Sequence, residues 1–240
     1  MRFYIGTSGW HYDHWQRVFY PSGLTKSKWL EFYSRHFSTV EINNSFYRLP
    51  SEEAFINWRD SSPPEFIFSV KVSRFITHIK RLRNAEEPVT NFIVRARLLE
   101  GKLGPLLYQL PKGMKRDDRL LEEFVKILPG NAHHVFEFRH SSWFDDKVFN
   151  LLRQHNISFC IYNMPDLNTP VITTSDLAYI RLHGSRQLYG GCYSERELEC
   201  WYRRITKLES NVVFTYFNND AEGFAIRNAL MLNNLLRVHG

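Results

Sequence analysis

Hydrophobic positions along this chain switch repeatedly between a period of two, as on a half-buried strand, and a spacing of three to four, as on one face of a helix. Phe3 to Thr7 is an apolar run closed by Gly6-Thr7-Ser8-Gly9-Trp10, a strand entering a tight loop. Trp29, Tyr33 and Phe37 predict a helix over Ser27 to Phe37. Thr39 to Asn43 forms the second strand, and Ser51 caps the helix that Pro50-Ser51-Glu52-Glu53 begins. Phe66 to Lys71 is the third strand. A loop with His78 and the basic run Lys80-Arg81-Leu82-Arg83 leads to a helix that begins near Pro88 and buries Val89, Phe92, Ala96 and Leu99. Gly104 to Gln109 is the fourth strand, with Leu120, Phe124 and Leu128 on the helix after it. The strand at Val135 is the fifth, followed by a helix around Val148, Leu151 and Leu152. Ile157 to Tyr162 is the sixth, ending at Asn163, and no long periodic stretch separates it from the seventh, Leu177 to His183. Ser194 to Glu197 matches the capping box S-x-x-E ahead of Leu198, Trp201, Ile205 and Leu208. Val212 to Phe217 is the eighth strand, and Ala225, Ala229, Leu232 and Leu236 mark the last helix.

Strands that alternate with helices pair in parallel through helical crossovers. Eight such units within 240 residues predict an α/β fold, a (β/α)8 TIM-type barrel formed by residues 1–240 as a single domain and irregular around strands six and seven. An open doubly wound sheet is the competing arrangement. Neither a GxGxxG nor a GxxxxGK(S/T) motif follows the first strand, which weighs against it.

Charge enters this picture at the strand tips. In Val135-Phe136-Glu137-Phe138-Arg139, the first, third and fifth residues share one face and the two phenylalanines share the other. A strand buried on both faces reads as a continuous apolar run. Ionisable groups at its carboxyl end therefore mark either a place where the core opens or a structural ion pair plugging the barrel. The same inward parity places Glu41, Asn43, Lys71, Gln109, Glu137, Arg139, Arg181, His183, Tyr216 and Asn218 at one mouth, above mainly apolar lower halves. Ionisable groups converging from several strands are what an active site needs.

Two carboxylates there face Lys71, Arg139 and Arg181, with His78 and His183 nearby, so the surplus is positive and suits a small anionic ligand such as phosphate or sulfate. Barrels of this type often hold phosphate in the loops after strands seven and eight. In this chain those loops carry Ser185-Arg186, Gly190-Gly191 and Asn218-Asn219-Asp220, where Asp220 is also a plausible helix cap. Trp10, Tyr12, Trp15, Phe46, Tyr47, Trp143, Tyr189 and Tyr193 crowd the same loops, where they either stack on sugar rings or bases or pack as a lid.

The formal charge of +6 and a pI near 9.2 favour anionic partners, with a solvated basic surface as the plain alternative. Cys160, Cys192 and Cys200 lack C-x-x-C spacing, which argues against a disulfide framework and a cysteine zinc site. Glu41, His78, Glu137 and His183 are metal-ligand types, but Lys71, Arg139 and Arg181 would repel a divalent cation, so neither metal nor cofactor is expected. The amino terminus lacks a secretory signal, and no stretch approaches the roughly 20 apolar residues of a membrane span. A soluble cytoplasmic protein without a membrane partner is expected, and no signature of oligomeric state is present.

Gly6-Thr7-Ser8-Gly9-Trp10 with Tyr12 and Trp15, Glu41-Ile42-Asn43-Asn44-Ser45-Phe46-Tyr47, Val70-Lys71 with Thr77-His78, and Leu103-Gly104-Pro105 with Gln109-Leu110-Pro111 form an ordered set of motifs. Glu137-Phe138-Arg139 with Ser142-Trp143, Arg181-Leu182-His183-Gly184 and Tyr216-Phe217-Asn218-Asn219 complete it. Together they resemble the YecE-like family, a domain of unknown function. The resemblance implies a TIM-type barrel and no established activity. Members of that family often carry an Asp after strand six, where this chain has Asn163, with Asp166 nearby.

The residues lead first to an enzyme using general acid–base chemistry on a phosphorylated or sugar-like ligand. Glu41 or Glu137 acts as acid or base, and His183 transfers a proton or donates to an oxyanion. Lys71, Arg139 and Arg181 neutralise the anion, while Asn43, Gln109 and Asn218 orient the ligand. Trp10, Tyr47, His78, Trp143, Tyr189, Tyr193, Tyr216 and Asn219 complete its surroundings. Paired carboxylates also suit glycoside cleavage, which their separation would decide. The alternatives are a nucleic-acid binder or nuclease using the basic run and the aromatics, and a non-catalytic sensor using the same pocket.

Overall fold

A computed structural model describes residues 1–165, 167, 169–184 and 188–239. Its eight strands are β1 (Arg2–Thr7), β2 (Thr39–Ile42), β3 (Ile67–Lys71), β4 (Leu103–Gln109), β5 (His134–Glu137), β6 (Ser158–Asn163), β7 (Leu177–Leu182) and β8 (Val212–Phe217). They form one parallel sheet in the order β1-β8-β7-β6-β5-β4-β3-β2. Its two end strands, β1 and β2, meet through a parallel bridge between Ser8 and Glu41, with Gly9 N–H donating to the Glu41 carbonyl at 2.8 Å. The sheet is thus a nearly closed (β/α)8 barrel of TIM type, as the alternating periods predict.

The seam between β1 and β2 has its own chemistry. Instead of a full backbone ladder, the Tyr33 hydroxyl enters the gap, accepting from Thr7 N at 3.0 Å and donating to the Thr39 carbonyl at 3.2 Å. Gly6 permits this close approach, because a Cβ there would fall 2.3 Å from the Thr39 carbonyl oxygen and 3.1 Å from the Tyr33 hydroxyl. Gly6→Ala must push these groups apart and is expected to lower stability by about 1–3 kcal/mol, the usual cost of overpacking. Urea denaturation checks this, and an unchanged midpoint would contradict it.

The helices are α1 (Trp29–Ser34), α2 (Asn44–Tyr47), α3 (Glu52–Asp60), α4 (Glu86–Ala96), α5 (Asp118–Lys126), α6 (Asp146–Gln154), α7 (Glu195–Ile205) and α8 (Phe224–His239). Ser51 caps α3 by accepting from Ala54 N, and the Ser194–Glu197 capping box opens α7. Three expectations shift. The first helix is shorter than its aromatic spacing suggests, because a 3-10 turn (Lys26–Lys28) precedes α1 and Phe37 is buried beyond its end. Pro88 is the third residue of α4, where it is tolerated because the first N–H groups of a helix have no partner within it. The stretch after β3 is more than a loop: Phe75–Ile79 forms a single π-helical turn that carries His78.

Strand parity divides the core as expected. Val40, Ile42, Phe68, Val70, Leu106, Tyr108, Phe136 and Ile161 pack outward under the helices. Tyr4, Leu107, Val135, Cys160, Tyr179, Phe214 and Tyr216 fill the barrel interior. Between β6 and β7 the described residues contain no helix. Instead Thr169 Oγ1 accepts from Tyr162 N at 2.9 Å and Thr174 Oγ1 from Phe159 N at 2.7 Å, so the connection returns along β6.

Candidate active site at the barrel mouth

Polar side chains from the upper ends of the strands meet in one layered network. Glu41 and Glu137 lie across the barrel from each other, and Arg181 bridges them. Its Nη2 donates to Glu41 Oε1 at 2.8 Å and its Nη1 to Glu137 Oε2 at 2.7 Å. Both carboxylates accept further hydrogen bonds. Glu41 accepts from Ser8 Oγ, from Asn43 Nδ2 at 3.1 Å and from Tyr179 OH at 2.5 Å. Glu137 accepts from Arg139 Nε and from Gln109 Nε2 at 2.8 Å.

Glu41, Glu137, Arg181 and His183 are fully buried. Burial pushes the Glu137 carboxyl up, but the guanidinium groups of Arg139 and Arg181 more than reverse this and hold it well below the usual range. At Glu41, too, burial raises the pKa, while the charge of Arg181 and the donors Ser8 and Tyr179 bring it below normal. Both are therefore carboxylates at neutral pH.

His183 completes the floor of the mouth. Its Nε2 lies 3.1 Å from Arg139 Nη2, and its Nδ1 lies 3.0 Å from the Asn218 amide. A guanidinium only donates, so Nε2 accepts and the proton of the neutral ring sits on Nδ1, where the Asn218 carboxamide must present its oxygen. Burial first, and the Arg181 charge second, lower its pKa to about 3. In this state the ring is a neutral spacer between charged groups.

Lys71 stands apart from this closed set. It is 9% exposed, and its Nζ lies 4.0 Å from the centroid of the Phe46 ring. Among the described residues the ammonium has no ion pair and no hydrogen-bond acceptor. Burial, followed by the positive charge of Arg181, lowers its pKa to about 7, against the partial opposition of Glu137 and Glu41. His78 flanks the same Phe46 ring at 5.0 Å between centroids, and burial together with Lys71 and Arg74 lowers it to about 4. Further groups at the mouth keep unused hydrogen-bonding capacity, the buried Arg181 Nε among them. Among the described residues Asn43 Oδ1 is buried without a donor, and Arg139 Nη1 has only the weakly accepting sulfur of Met164 at 3.3 Å.

Other expected ligand contacts have structural partners instead. Trp143 is fully buried, stacks on Phe138 and donates to the Met114 carbonyl at 2.7 Å, so it belongs to the outer core. The Tyr193 hydroxyl is buried between Asn163 Oδ1 and Gly184 N. Asn219 is buried against the Gly191 carbonyl and Asn228. The Tyr216 hydroxyl sits lower in the barrel, bonded to Thr39 at 2.6 Å and Ser69 at 2.7 Å. Trp10 is buried against Trp58 and Phe68. Trp143, Tyr193 and Tyr216 thus satisfy their polar atoms within the protein, and Trp10 and Asn219 are buried. Tyr47 and Tyr189 remain at the rim, 73% and 48% exposed.

Asp220 does not cap the last helix. It accepts from Trp15 Nε1 at 2.8 Å and pairs with His14 at 3.0 Å, while burial raises it to about 6. The expected phosphate contacts at Ser185 and Arg186, and the acid at Asp166, lie outside the described residues. In the basic run, Arg83 pairs with Asp117 at 3.4 Å and Lys80 lies 5.5 Å over the Phe75 ring. Among the described residues no three His, Cys, Asp or Glu side chains are grouped as a metal would require, and no helix is long and apolar enough to cross a membrane.

The family model described as "Protein of unknown function DUF72" matches residues 4–240. The chain belongs to the DUF72 family. This DUF72 protein is 34% identical to UPF0759 protein YecE of Escherichia coli (strain K12) over 59% of its own length. That match spans about half of the YecE chain, 50%. It is 26% identical to UPF0759 protein YunF of Bacillus subtilis (strain 168), covering 98% of this chain and 95% of that one. A DUF72 family protein from Thermotoga maritima has a crystal structure that superposes with a TM-score of 0.90 at 31% identity, covering 99% of this chain and 100% of the other. A second, from Enterococcus faecalis, shares the fold at a TM-score of 0.85 and 21% identity, over 98% and 95% of the two chains. None of these names assigns an activity to this DUF72 protein.

Proposed function

We propose that this DUF72 protein is an enzyme that binds a small anionic ligand above the ion-pair floor, with Lys71 as the group that exchanges a proton with it. One observation carries the reading: Lys71 is a largely buried cation at the barrel mouth without a hydrogen-bond or ion-pair partner among the described residues. Glu41 and Glu137 begin as acid–base candidates, but each already holds several donors and sits below its ordinary pKa. With His183 they act as positioning residues. Their network keeps two arginines charged beneath Lys71 and so favours its neutral form.

An anion entering the mouth meets the protonated Lys71 and the under-used Nη1 of Arg139, while the donorless Asn43 Oδ1 accepts from a ligand hydroxyl. The nucleic-acid alternative has weaker support, because most of the expected stacking aromatics are buried and Arg83 of the basic run is ion-paired. We infer a cytoplasmic setting, with which the free Cys160, Cys192 and Cys200 agree.

Thermal denaturation at low salt with inorganic phosphate, glycerol phosphate and uncharged glycerol tests this. The anions are expected to raise Tm, more at pH 6 than at pH 8, because Lys71 carries its charge below about 7. The increment should disappear in Lys71→Met. An increment that is absent, or the same in Lys71→Met, would overturn the reading.

A further inference from the structure

Lysines are rarely buried without a carboxylate partner, since an isolated ammonium loses its hydration for nothing in return. Two carboxylates lie close enough to Lys71 to influence its charge, yet neither pairs with it. Glu41 is held by Arg181, Ser8, Asn43 and Tyr179, and Glu137 by Arg181, Arg139 and Gln109. Each carboxylate is committed to these donors and none of them is Lys71, which among the described residues makes no hydrogen bond or ion pair within the network beside it.

Its own position is nevertheless fixed. The backbone carbonyl of Lys71 accepts from Ser45 Oγ at 2.6 Å, and Phe46, the next residue of α2, lays its ring 4.0 Å from Nζ. The amine is thus held at the end of β3 against an apolar ring, partly open to the mouth. An amine placed in this way, next to other cations and away from acceptors, is an activated nucleophile for a carbonyl carbon.

We propose that Lys71 forms a covalent imine with a small aldehyde or ketone that also carries a carboxylate or phosphate. This rests on the reading of the mouth as an anion site and adds the chemical class of the ligand. The neutral amine's lone pair attacks the carbonyl carbon, forming a C–N bond as the C=O π pair moves to oxygen. A proton passes from nitrogen to that oxygen, giving the carbinolamine. The hydroxyl then takes a proton from solvent and leaves as water, while the nitrogen lone pair forms the C=N bond of the iminium. No oxidant or reductant is consumed. Arg139 Nη1 is available to the anionic group, and Asn43 Oδ1, at the tip of the adjacent β2, is an unfilled acceptor for the carbinolamine hydroxyl. With a pKa of about 7, Lys71 has a share of neutral amine at pH 7 on the order of a thousandfold above that of an ordinary lysine.

The test is reductive trapping on the intact protein. Pyruvate, glycolaldehyde phosphate and uncharged glycolaldehyde are each incubated with it at pH 7.5 and reduced with sodium borohydride, and the adduct is located by peptide mass mapping. The charged probes are expected to label Lys71 at least tenfold more than Lys28 and Lys126, which are exposed and ion-paired. Labelling of Lys71 should fall severalfold at pH 5.5, and Lys71→Arg, which keeps the cation, should lose the adduct. Labelling spread evenly over surface lysines, or none at Lys71, overturns the covalent proposal. If phosphate still raises Tm through Lys71 in that case, the anion-site reading survives alone. If uncharged glycolaldehyde labels Lys71 as well as the charged probes do, the reactive amine stands and the anionic requirement fails.

Discussion

Arg181→Met is expected to lower the stability of the fold by about 3–5 kcal/mol, the usual consequence of removing one partner from a buried ion pair. The methionine has comparable bulk, so loss of packing is not the main effect. The effect arises because Glu41 is left fully buried with only neutral donors, Ser8, Asn43 and Tyr179. Glu137 suffers less, since Arg139 still pairs with it. The sign with pH follows from the lowered carboxyl pKa values. In the native protein these groups contribute stability above their unfolded pKa of about 4.3, and the contribution is lost as pH falls through the lower folded value. In the variant, burial without Arg181 drives Glu41 upward, so it protonates earlier and the deficit should be smaller at pH 4.5 than at pH 7. Urea denaturation at both pH values is the measurement. Adding Glu41→Gln to the variant should recover part of the loss, because the unpaired charge is then gone. A deficit under 1 kcal/mol that does not change with pH would show that the network contributes no net electrostatic stability.

Lys71→Met is expected to act in the opposite direction, stabilising the fold at neutral pH while abolishing anion binding. The folded pKa of Lys71, about 7, lies below that of a lysine in an unfolded chain. Below pH 7 both states carry the proton and the folded state bears the whole cost of holding an ammonium against Phe46 and the arginines. Between about 7 and 10.4 the unfolded chain binds a proton that the folded protein does not, so wild-type stability rises with pH across that window. The full displacement corresponds to roughly 5 kcal/mol, which water access at the mouth reduces to about 2–3 kcal/mol. Methionine removes the charge, so its advantage should be greatest near pH 6 and vanish by pH 10. Guanidinium denaturation of both proteins over that range decides the matter. A variant less stable than wild type at pH 6 would mean that Lys71 has a structural partner after all. The expected trade, stability against binding, is common at sites where a protein holds a group in an unfavourable state.

Which residues would converge was largely legible before the fold was known. Side chains alternate on a strand whatever its neighbours are, so Glu41, Lys71, Gln109, Glu137, Arg139, Arg181 and His183 could be assigned inward from local spacing. The same local logic identified the Ser51 cap and the Ser194–Glu197 box. It failed where a residue's surroundings come from distant parts of the chain. Trp143 and Tyr193 read as mouth aromatics because they follow strand ends, yet Met114 takes the indole N–H of one and Asn163 and Gly184 bind the hydroxyl of the other. Tyr33 read as one face of a helix, and its hydroxyl instead links β1 to β2. Asp220 read as a cap, and it reaches back to His14 and Trp15.

The sequence alone therefore determined the alternation of strand and helix, the barrel it implies and the list of charged groups at one rim, since each follows from the periodicity of neighbouring residues. Only the tertiary structure decided how those charges pair. The relative placement of eight strands brings Arg181 between two glutamates separated from it by 140 and 44 positions, and it leaves Lys71 facing a phenylalanine instead of an acid. Which cation is neutralised and which is left reactive is a matter of a few ångströms across the barrel, a distance that no local spacing records.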